Sequence, residues 1–425
     1  MQETARVGAR LKFGTAVRDP MTIAVCALGI TQITAWGVSF YCLGVLAGPI
    51  ASDMGWSRGF VFLGFTVALL VMGVVSTGVG RAIDSLGGRI VMTIGTAIVS
   101  AGLYALSLVA DQTGYLVAWG LLGLGMRLCL YDAAFAALVQ VAPTRGRRAI
   151  SYLTLFGAFA SSIFWVIGHF LNDAVGWRDT LAIFAFINLV VCLPLHWFGL
   201  ARREAPPAAT QAAGAASGSA PTVEGPVLEG RRRAIGIGLF AVIRSLNGFV
   251  FGVISVQLVP VLEATGLATA TAVWIASLKG VAQFSGRVVE IVLGQNLRAI
   301  TVARIAIAVL PFSLVLLLLG TGSFVTVLAF TLLMGASQGV LTIVRGAVPL
   351  ALFGAKGYGA VLGVIATPIL LVNAFSPTVF ALMVDHWGWH SSEYVLLVSA
   401  TAAWLAIELM SRWYDRNRQA ASASP

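Results

Sequence analysis

Charged residues are scarce in this chain and make up only 10% of its 425 residues. Acidic residues are rarer than basic ones, 17 against 27, and the one long polar stretch covers 201–233. With 58% apolar residues and a mean hydropathy of +0.91, the composition excludes an ordinary soluble domain. The ~10-residue alternating segments of a membrane β-barrel are also absent. The sequence therefore predicts an all-α polytopic membrane protein.

Cysteine and histidine are rare too, with four of each. Cys26, Cys42, Cys129 and Cys192 fall inside apolar segments at unrelated spacings, which indicates neither a disulfide framework nor a zinc site. The sequence has no phosphate-binding glycine loop, no metal-ligand cluster and no nucleophile motif. We therefore expect no enzyme activity, no cofactor and no bound metal.

The apolar segments are long enough to cross a bilayer, which takes about 20 mostly apolar residues. Twelve spans are predicted, at 21–48, 59–80, 90–110, 115–138, 149–171, 179–200, 234–261, 271–293, 299–320, 324–346, 358–383 and 391–411. The stretch 201–233, rich in Ala, Pro, Gly and Ser, is predicted to be a flexible linker. It separates an N-terminal half, 1–200, from a C-terminal half, 234–411, and a tail follows at 412–425.

Arginine is concentrated in the loops that follow even-numbered spans. Arg145, Arg147 and Arg148 follow the fourth span, for example, whereas the loops after odd-numbered spans hold only Arg58 and Arg178. This is the positive-inside distribution, so both ends of the chain and the linker are predicted to be cytoplasmic. The net charge of +10 therefore reflects membrane topology, and no nucleic-acid partner is expected.

A short glycine-rich motif occurs at matching points in the two halves. GRAIDSLGG and GRVVEIVLG both fit the pattern G-R-x-x-[D/E]-x-x-x-G, and each follows the second span of its half. The candidate gating residues in these two loops are Gly80, Arg81, Asp84, Gly88 and Arg89, and Gly286, Arg287 and Glu290. We expect Asp84 to cap the next helix or to pair with an arginine, and to act in conformational switching.

The first copy resembles the signature loop between the second and third helices of the major facilitator superfamily. Gly80, Asp84, Gly88 and Arg89 stand at the matching positions, and Ser85 departs from the usual basic residue. The resemblance covers the whole chain and implies twelve helices in two pseudo-symmetric six-helix halves. It also implies a monomeric secondary transporter that works by alternating access, in a bacterial cytoplasmic (inner) membrane.

Two further segments narrow the expected cargo. AWGVSFYCLGVL and GASQGVLTIVRG look loosely like the monocarboxylate- and oxalate-transporter branch, which implies a small organic anion, with proton symport as one form of coupling. An efflux transporter for drugs, metalloids or other small molecules is the alternative. The G-x-x-x-G-P pattern of drug antiporters is absent from the fifth span.

Several polar side chains fall within the predicted spans, where each ionisable group costs about 2.5–3.5 kcal/mol on insertion scales. The resemblance implies that spans one, four, seven and ten line a central cavity, and a cavity with surplus basic groups attracts an anion. Arg345 also lies near a span end, where its side chain can snorkel toward the interface. The candidate substrate-binding residues are Arg127, Arg244, Lys279, Gln32, Trp36, Asn247, Gln283, Gln338 and Arg345.

Two groups are candidates for proton coupling, Asp132 and His169. Arg127 and Asp132 are five residues apart, about 140° around a continuous helix, so they do not share a face. A structural ion pair between them, made through other helices, is the alternative to a binding role. For His169 the alternative is a packing role.

Overall fold

The computed structural model describes residues 19–204, 227–320 and 323–422. All regular structure in these residues is helical, which confirms the predicted all-α fold. The two ends of the chain, 1–18 and 423–425, and most of the predicted linker, 205–226, lie outside the described residues.

Six helices lie in the described part of the N-terminal half, from residue 19 onward. They are α1 (Pro20–Met54), α2 (Arg58–Leu86), α3 (Gly88–Ser107), α4 (Gln112–Val141), α5 (146–175) and α6 (177–199). Polar side chains begin three of them, because Asp19, Ser57 and Asp111 accept hydrogen bonds from the first free N–H groups of α1, α2 and α4.

Six more helices lie in the ranges 227–320 and 323–422 that the structure describes. They are α7 (Gly230–Ala264), α8 (Thr269–Leu293), α9 (Ala299–Leu319), α10 (Phe324–Phe353), α11 (358–387) and α12 (389–422). The described residues thus contain the twelve predicted spans. Helix α7 begins four residues before the predicted half, so Arg231, Arg232 and Arg233 are helical rather than part of the linker. Helix α12 likewise continues through most of the predicted tail.

Two sharp turns repeat between the halves. Gly176 separates α5 from α6 with φ 80° and ψ 170°, and Gly388 separates α11 from α12 with φ 78° and ψ 169°. Positive φ at these values strains any residue with a Cβ atom, which is why both turns use glycine. Trp177 and Trp389 follow them. The near-identical geometry supports the duplication that the sequence indicates.

Helices α1 and α4 are both interrupted partway along their length. Helix α1 widens into a π-helical turn at Trp36–Phe40, and α4 breaks at Leu130, whose ψ is −169°. The breaks lie side by side: Gln32 Nε2 donates to the backbone oxygen of Cys129 at 2.8 Å. This hydrogen bond satisfies a carbonyl that the break would otherwise leave without a partner inside the membrane.

The loops after α2, α4, α6, α8 and α10 lie together at one end of the helix bundle, which we call the arginine-rich end. Both ends of the linker attach here: Glu204 N donates to Val141 O at the end of α4, and Leu228 N to Leu352 O in α10, each at 2.8 Å. Arg145 binds both Glu204 and Asp19. Its hydrogen bonds hold the pKa of Asp19 below the usual value, despite partial burial.

Candidate functional site

A buried ion pair lies at the break in α4. Arg127 lies in the last turn of the first segment of the helix, and Asp132 lies in the first turn of the second. Each side chain is therefore opposite in charge to the helix end beside it, which is favourable. Arg127 Nη1 is 2.9 Å from Asp132 Oδ2, and both side chains are 3% exposed. The predicted separation of the two side chains is therefore wrong, because it assumed a continuous helix. Arg127 Nε also donates to Ser76 Oγ at 2.7 Å.

Arg345 joins this pair from the other half of the molecule. Its guanidinium, on α10, donates to the same carboxylate oxygen of Asp132 that Arg127 contacts. Arg345 does not snorkel toward a helix end, the alternative that its position in the sequence allowed, because it points inward to a carboxylate and is 21% exposed. Asp132 consequently connects α4 and α10, and with them the two halves.

A third guanidinium, that of Arg244 on α7, interacts electrostatically with Asp132 and Arg345. Within the described ranges Arg244 forms no hydrogen bond or ion pair, and its buried Nε is unpaired. Asn247 follows one turn later, is 4% exposed, and has no partner for either amide atom. We define the Asp132 cluster as Arg127, Asp132, Arg244 and Arg345. It carries three positive charges against one negative charge.

The candidates on α8 form a separate contact with α10. Gln283 Nε2 donates to Gln338 Oε1 at 3.3 Å, and Gln338 Nε2 has no partner in the described part of the chain. Lys279 is half-buried, with its ammonium 6.0 Å from the centre of the Phe251 ring. These polar groups face the junction of α8 and α10, and no direct contact joins them to the Asp132 cluster.

Two candidates on α1 support the helix breaks. Gln32 is fully buried, with its Nε2 on Cys129 O and its Oε1 accepting from Trp36 Nε1 at 3.1 Å. The Trp36 ring is half-buried and lies 5.1 Å from the ring of Tyr131, next to Asp132. Gln32 therefore positions the two breaks, while Trp36 contributes an aromatic surface beside the cluster.

Histidine shows where sequence reasoning missed a buried group. His169 is 66% exposed, with its Nε2 3.5 Å from Asp173 one turn away, and it has no contact with the cluster. His196 is fully buried instead, with its ring nitrogens 2.8 Å from Thr96 Oγ1 and 2.9 Å from Thr31 Oγ1. Nothing in the sequence indicated that His196 is buried, because it lies near the end of a predicted span. Its partner hydroxyls come from other helices, α1 and α3.

The first glycine-rich motif joins the halves at the arginine-rich end. The carboxylate of Asp84 accepts hydrogen bonds from the backbone N–H groups of Gly359, at 2.9 Å, and Ala360, at 2.8 Å. Asp84 therefore caps α11, and the prediction that it caps the next helix is wrong. Gln140 does that instead, because its Oε1 accepts from Gly88 N at 2.8 Å.

Other residues of this loop have different surroundings. A Cβ atom on Gly80 would lie 2.2 Å from Gly359 O, so the close approach of α2 and α11 requires glycine. Arg89 stacks on the Trp197 ring at 4.0 Å, within its own half, and Arg81 is exposed. The two arginines thus lie outside the contact between the halves.

The second motif faces the N-terminal half in the same way. Glu290 is buried and accepts from Ser151 Oγ at 2.9 Å, with Arg147 Nη2 at 3.4 Å. Arg287 Nη1 donates to Thr154 O at 2.6 Å. Arg287 is predicted from the sequence to lie in a loop, but the structure buries it against α5. Each motif therefore places its acidic residue against a helix of the opposite half, α11 or α5.

Solved structures of other proteins have the same arrangement of helices. No curated protein matches the chain in sequence. Among solved structures, the human organic anion transporter MFSD10 (TETRAN) superposes with a TM-score of 0.69 at 14% identity, over 92% of this chain and 99% of that one. The proton:xylose symporter XylE gives 0.67 at 16% identity, over 92% and 95%. An outward-facing bacterial homologue of the iron transporter ferroportin gives 0.72 at 13%, over 91% and 99%.

At these identities the likeness shows a common fold. The family itself is shown by sequence, because the profile of the Major Facilitator Superfamily matches residues 28–318, more than half of the chain. The described helices, the repeated glycine turns and the paired motifs agree with that match. The chain belongs to the Major Facilitator Superfamily.

Proposed function

We propose that this transporter moves a small organic anion, such as a carboxylate, by alternating access between its two halves. The observation that carries the proposal is the unpaired guanidinium of Arg244 within the Asp132 cluster, which has two surplus positive charges. Arg244 is half-buried, and its buried Nε has no partner. A partly desolvated charge without a partner is costly, so a bound anion would stabilise the site. Asn247, with both amide atoms free, supplies a further donor one turn away.

The proposed substrate class rests on the basic side chains of the Asp132 cluster and not on the fold. The solved structures with the same fold are named for an organic anion, for xylose and for iron, so the fold alone supports several classes of substrate. Guanidinium groups bind a carboxylate through two parallel hydrogen bonds. Two such groups, on Arg244 and Arg345, lie on α7 and α10, helices that the family resemblance implies line a central cavity.

The proposal also covers proton coupling, the orientation of the protein in the membrane and its oligomeric state. Asp132 is the carboxylate of the cluster, so it is the residue we propose for proton coupling in a symport mechanism. The concentration of arginine at one end of the bundle supports a cytoplasmic position for that end, in a bacterial inner membrane. We propose that the transporter functions as a monomer in the bilayer.

A ligand-stabilisation screen tests the anion site. We expect carboxylates to raise the melting temperature of the purified full-length protein, and neutral amide analogues of the same skeleton to leave it unchanged. At a concentration of 100 Kd the stabilisation is about 2.7 kcal/mol. Arg244→Ala should abolish the shift, and Arg244→Lys should retain part of it, since lysine keeps the charge but not the planar fork.

The matched control is Arg304→Ala, because Arg304 is paired with Glu408 on α9 and α12, outside the cluster. This variant should respond to carboxylates as the unchanged protein does. Stabilisation by cationic dyes or neutral compounds alone would contradict the anion proposal and favour the efflux alternative. Transport of the stabilising compound into proteoliposomes, with and without a pH gradient, then tests coupling.

The Asp84 contact is the proposed gate at the arginine-rich end. Asp84→Ala removes both bonds to the α11 N-terminus, at a cost of about 1 kcal/mol for the cap and about 0.3–1 kcal/mol for the helix dipole. We expect transport per folded molecule to fall severalfold while the folded amount in the membrane is nearly unchanged. Asp84→Asn should have a smaller effect, since it keeps one capping oxygen.

Ser85→Ala is the control for this gate. Ser85 is the next residue but donates only to carbonyls of its own helix, so its loss should leave transport unchanged. If Asp84→Ala reduced transport and folded protein in equal proportion, the contact would serve folding rather than gating.

A further inference from the structure

We infer that Asp132 is an internal competitor of the substrate: it occupies Arg345 in the empty transporter, and the substrate's carboxylate displaces it. This inference deepens the proposed anion site and rests on it. It assigns Asp132 to the control of substrate affinity and turnover, in addition to any role in proton coupling.

The two arginines that bind Asp132 are held very differently. Arg127 belongs to the same helix, is 3% exposed and is fixed by a second hydrogen bond to Ser76. Arg345 comes from the opposite half and is 21% exposed. A small anion entering between the halves therefore meets Arg345 and Arg244, while Arg127 remains enclosed. Of the two pairs, only the one between the halves is open to exchange.

The hydrogen bonding of Asp132 is also incomplete. Both guanidiniums contact Oδ2, while Oδ1 is buried and has no partner in the described residues. Arg345 therefore makes a one-point contact with Asp132 rather than the bidentate fork that gives the strongest guanidinium–carboxylate pair. A free carboxylate, unconstrained by a backbone, can adopt the fork on Arg345 and also reach the unpaired Arg244.

Displacement leaves no carboxylate stranded. When a substrate takes Arg345, Asp132 keeps its charge partner Arg127 at 2.9 Å within α4. The exchange thus avoids the large penalty of an uncompensated buried charge. The exchange also replaces the Arg345–Asp132 ion pair, which joins α10 to α4, by an ion pair between Arg345 and a substrate that can dissociate. Occupancy of the site is therefore coupled to the contact between the halves.

Asp132→Asn tests the inference, because asparagine keeps the shape and removes the competing charge. We expect the Kd for a stabilising carboxylate, measured by titration calorimetry, to fall about tenfold, as expected from coupling energies of 1.5 kcal/mol or more between close charges. Turnover in proteoliposomes should fall at the same time, so that KM and kcat decrease together. A merely structural residue would weaken binding when replaced.

The matched control is Glu393→Gln, which removes another buried carboxylate, 6% exposed and 4.0 Å from His390 on α12, in neither the cluster nor a gating motif. Its carboxylate affinity should stay unchanged. Because Asp132→Asn leaves Arg127 without its counter-ion, a second variant, Arg127→Leu with Asp132→Leu, removes the competitor as a neutral pair. It should show the same gain in affinity.

The outcomes separate this inference from the proposed function. If carboxylates bind the unchanged protein and lose binding in Arg244→Ala, but the folded Asp132 variants bind no more tightly, internal competition is overturned and the anion site stands. If no carboxylate binds any form of the protein, the anion site itself is overturned, and the inference with it.

Discussion

Replacement of Arg127 by leucine is expected to lower the free energy of unfolding by about 3–5 kcal/mol, the penalty for breaking a buried ion pair. The substitution removes the partner of Asp132 within α4 and the donor to Ser76 Oγ. The remaining contact, to Arg345, crosses between the halves and does not hold the α4 break together. Reversible unfolding in mixed detergent micelles measures the loss.

Removing both members of the pair should restore much of this stability. Arg127→Leu combined with Asp132→Leu leaves no buried charge without a partner, and such double replacements are often neutral. Arg304→Leu is the control for the loss of an arginine: it breaks the Arg304–Glu408 pair, whose arginine is 38% exposed, and should cost at most about 1 kcal/mol. Equal losses in Arg127→Leu and Arg304→Leu would show that burial of the α4 pair adds nothing.

The break that creates this pair could not be predicted from the local sequence. The twelve spans follow from apolar segment length, which is a property of the chain itself. The segment Leu128-Cys129-Leu130-Tyr131 contains no glycine or proline to interrupt a helix. The Cys129 carbonyl is instead satisfied by Gln32 from α1, a partner 97 residues away. A regular helix was therefore the expected outcome. The sequence left an Arg127–Asp132 ion pair open only through other helices, and did not predict a direct pair at a break in α4.

The two glycine-rich motifs at the arginine-rich end likewise have partners that the local sequence does not predict. The repeated motif correctly identifies two matching turns, but it does not identify their partners. Asp84 caps α11 of the other half, whereas Gln140 caps α3. A signal for the partner did exist in the sequence, since Gly359, near the start of α11 in GAKGYGAVLG, allows close approach to an opposing helix.

That close approach gives the largest expected effect on transport. In Gly80→Val, the new Cβ would lie 2.2 Å from Gly359 O and 2.7 Å from the carbonyl carbon, so α2 and α11 must separate. Overpacking of this kind costs about 1–3 kcal/mol, enough to change the population of the closed arginine-rich end about tenfold or more. Transport should be nearly abolished, because the alternating access proposed for this protein requires that this end close.

Hydrogen exchange at the starts of α5 and α11 reports the opening directly, and it should become at least about tenfold faster in Gly80→Val. Gly78→Val is the matched control on the same helix, since a Cβ atom at Gly78 meets nothing within 4 Å. It adds the same side chain and makes the same change in helix propensity, and should change neither exchange nor transport. If both variants behaved alike, the effect would belong to helix α2 itself. A difference confined to Gly80 would show that backbone contact between the halves, reinforced by Asp84, holds one end of the transporter closed.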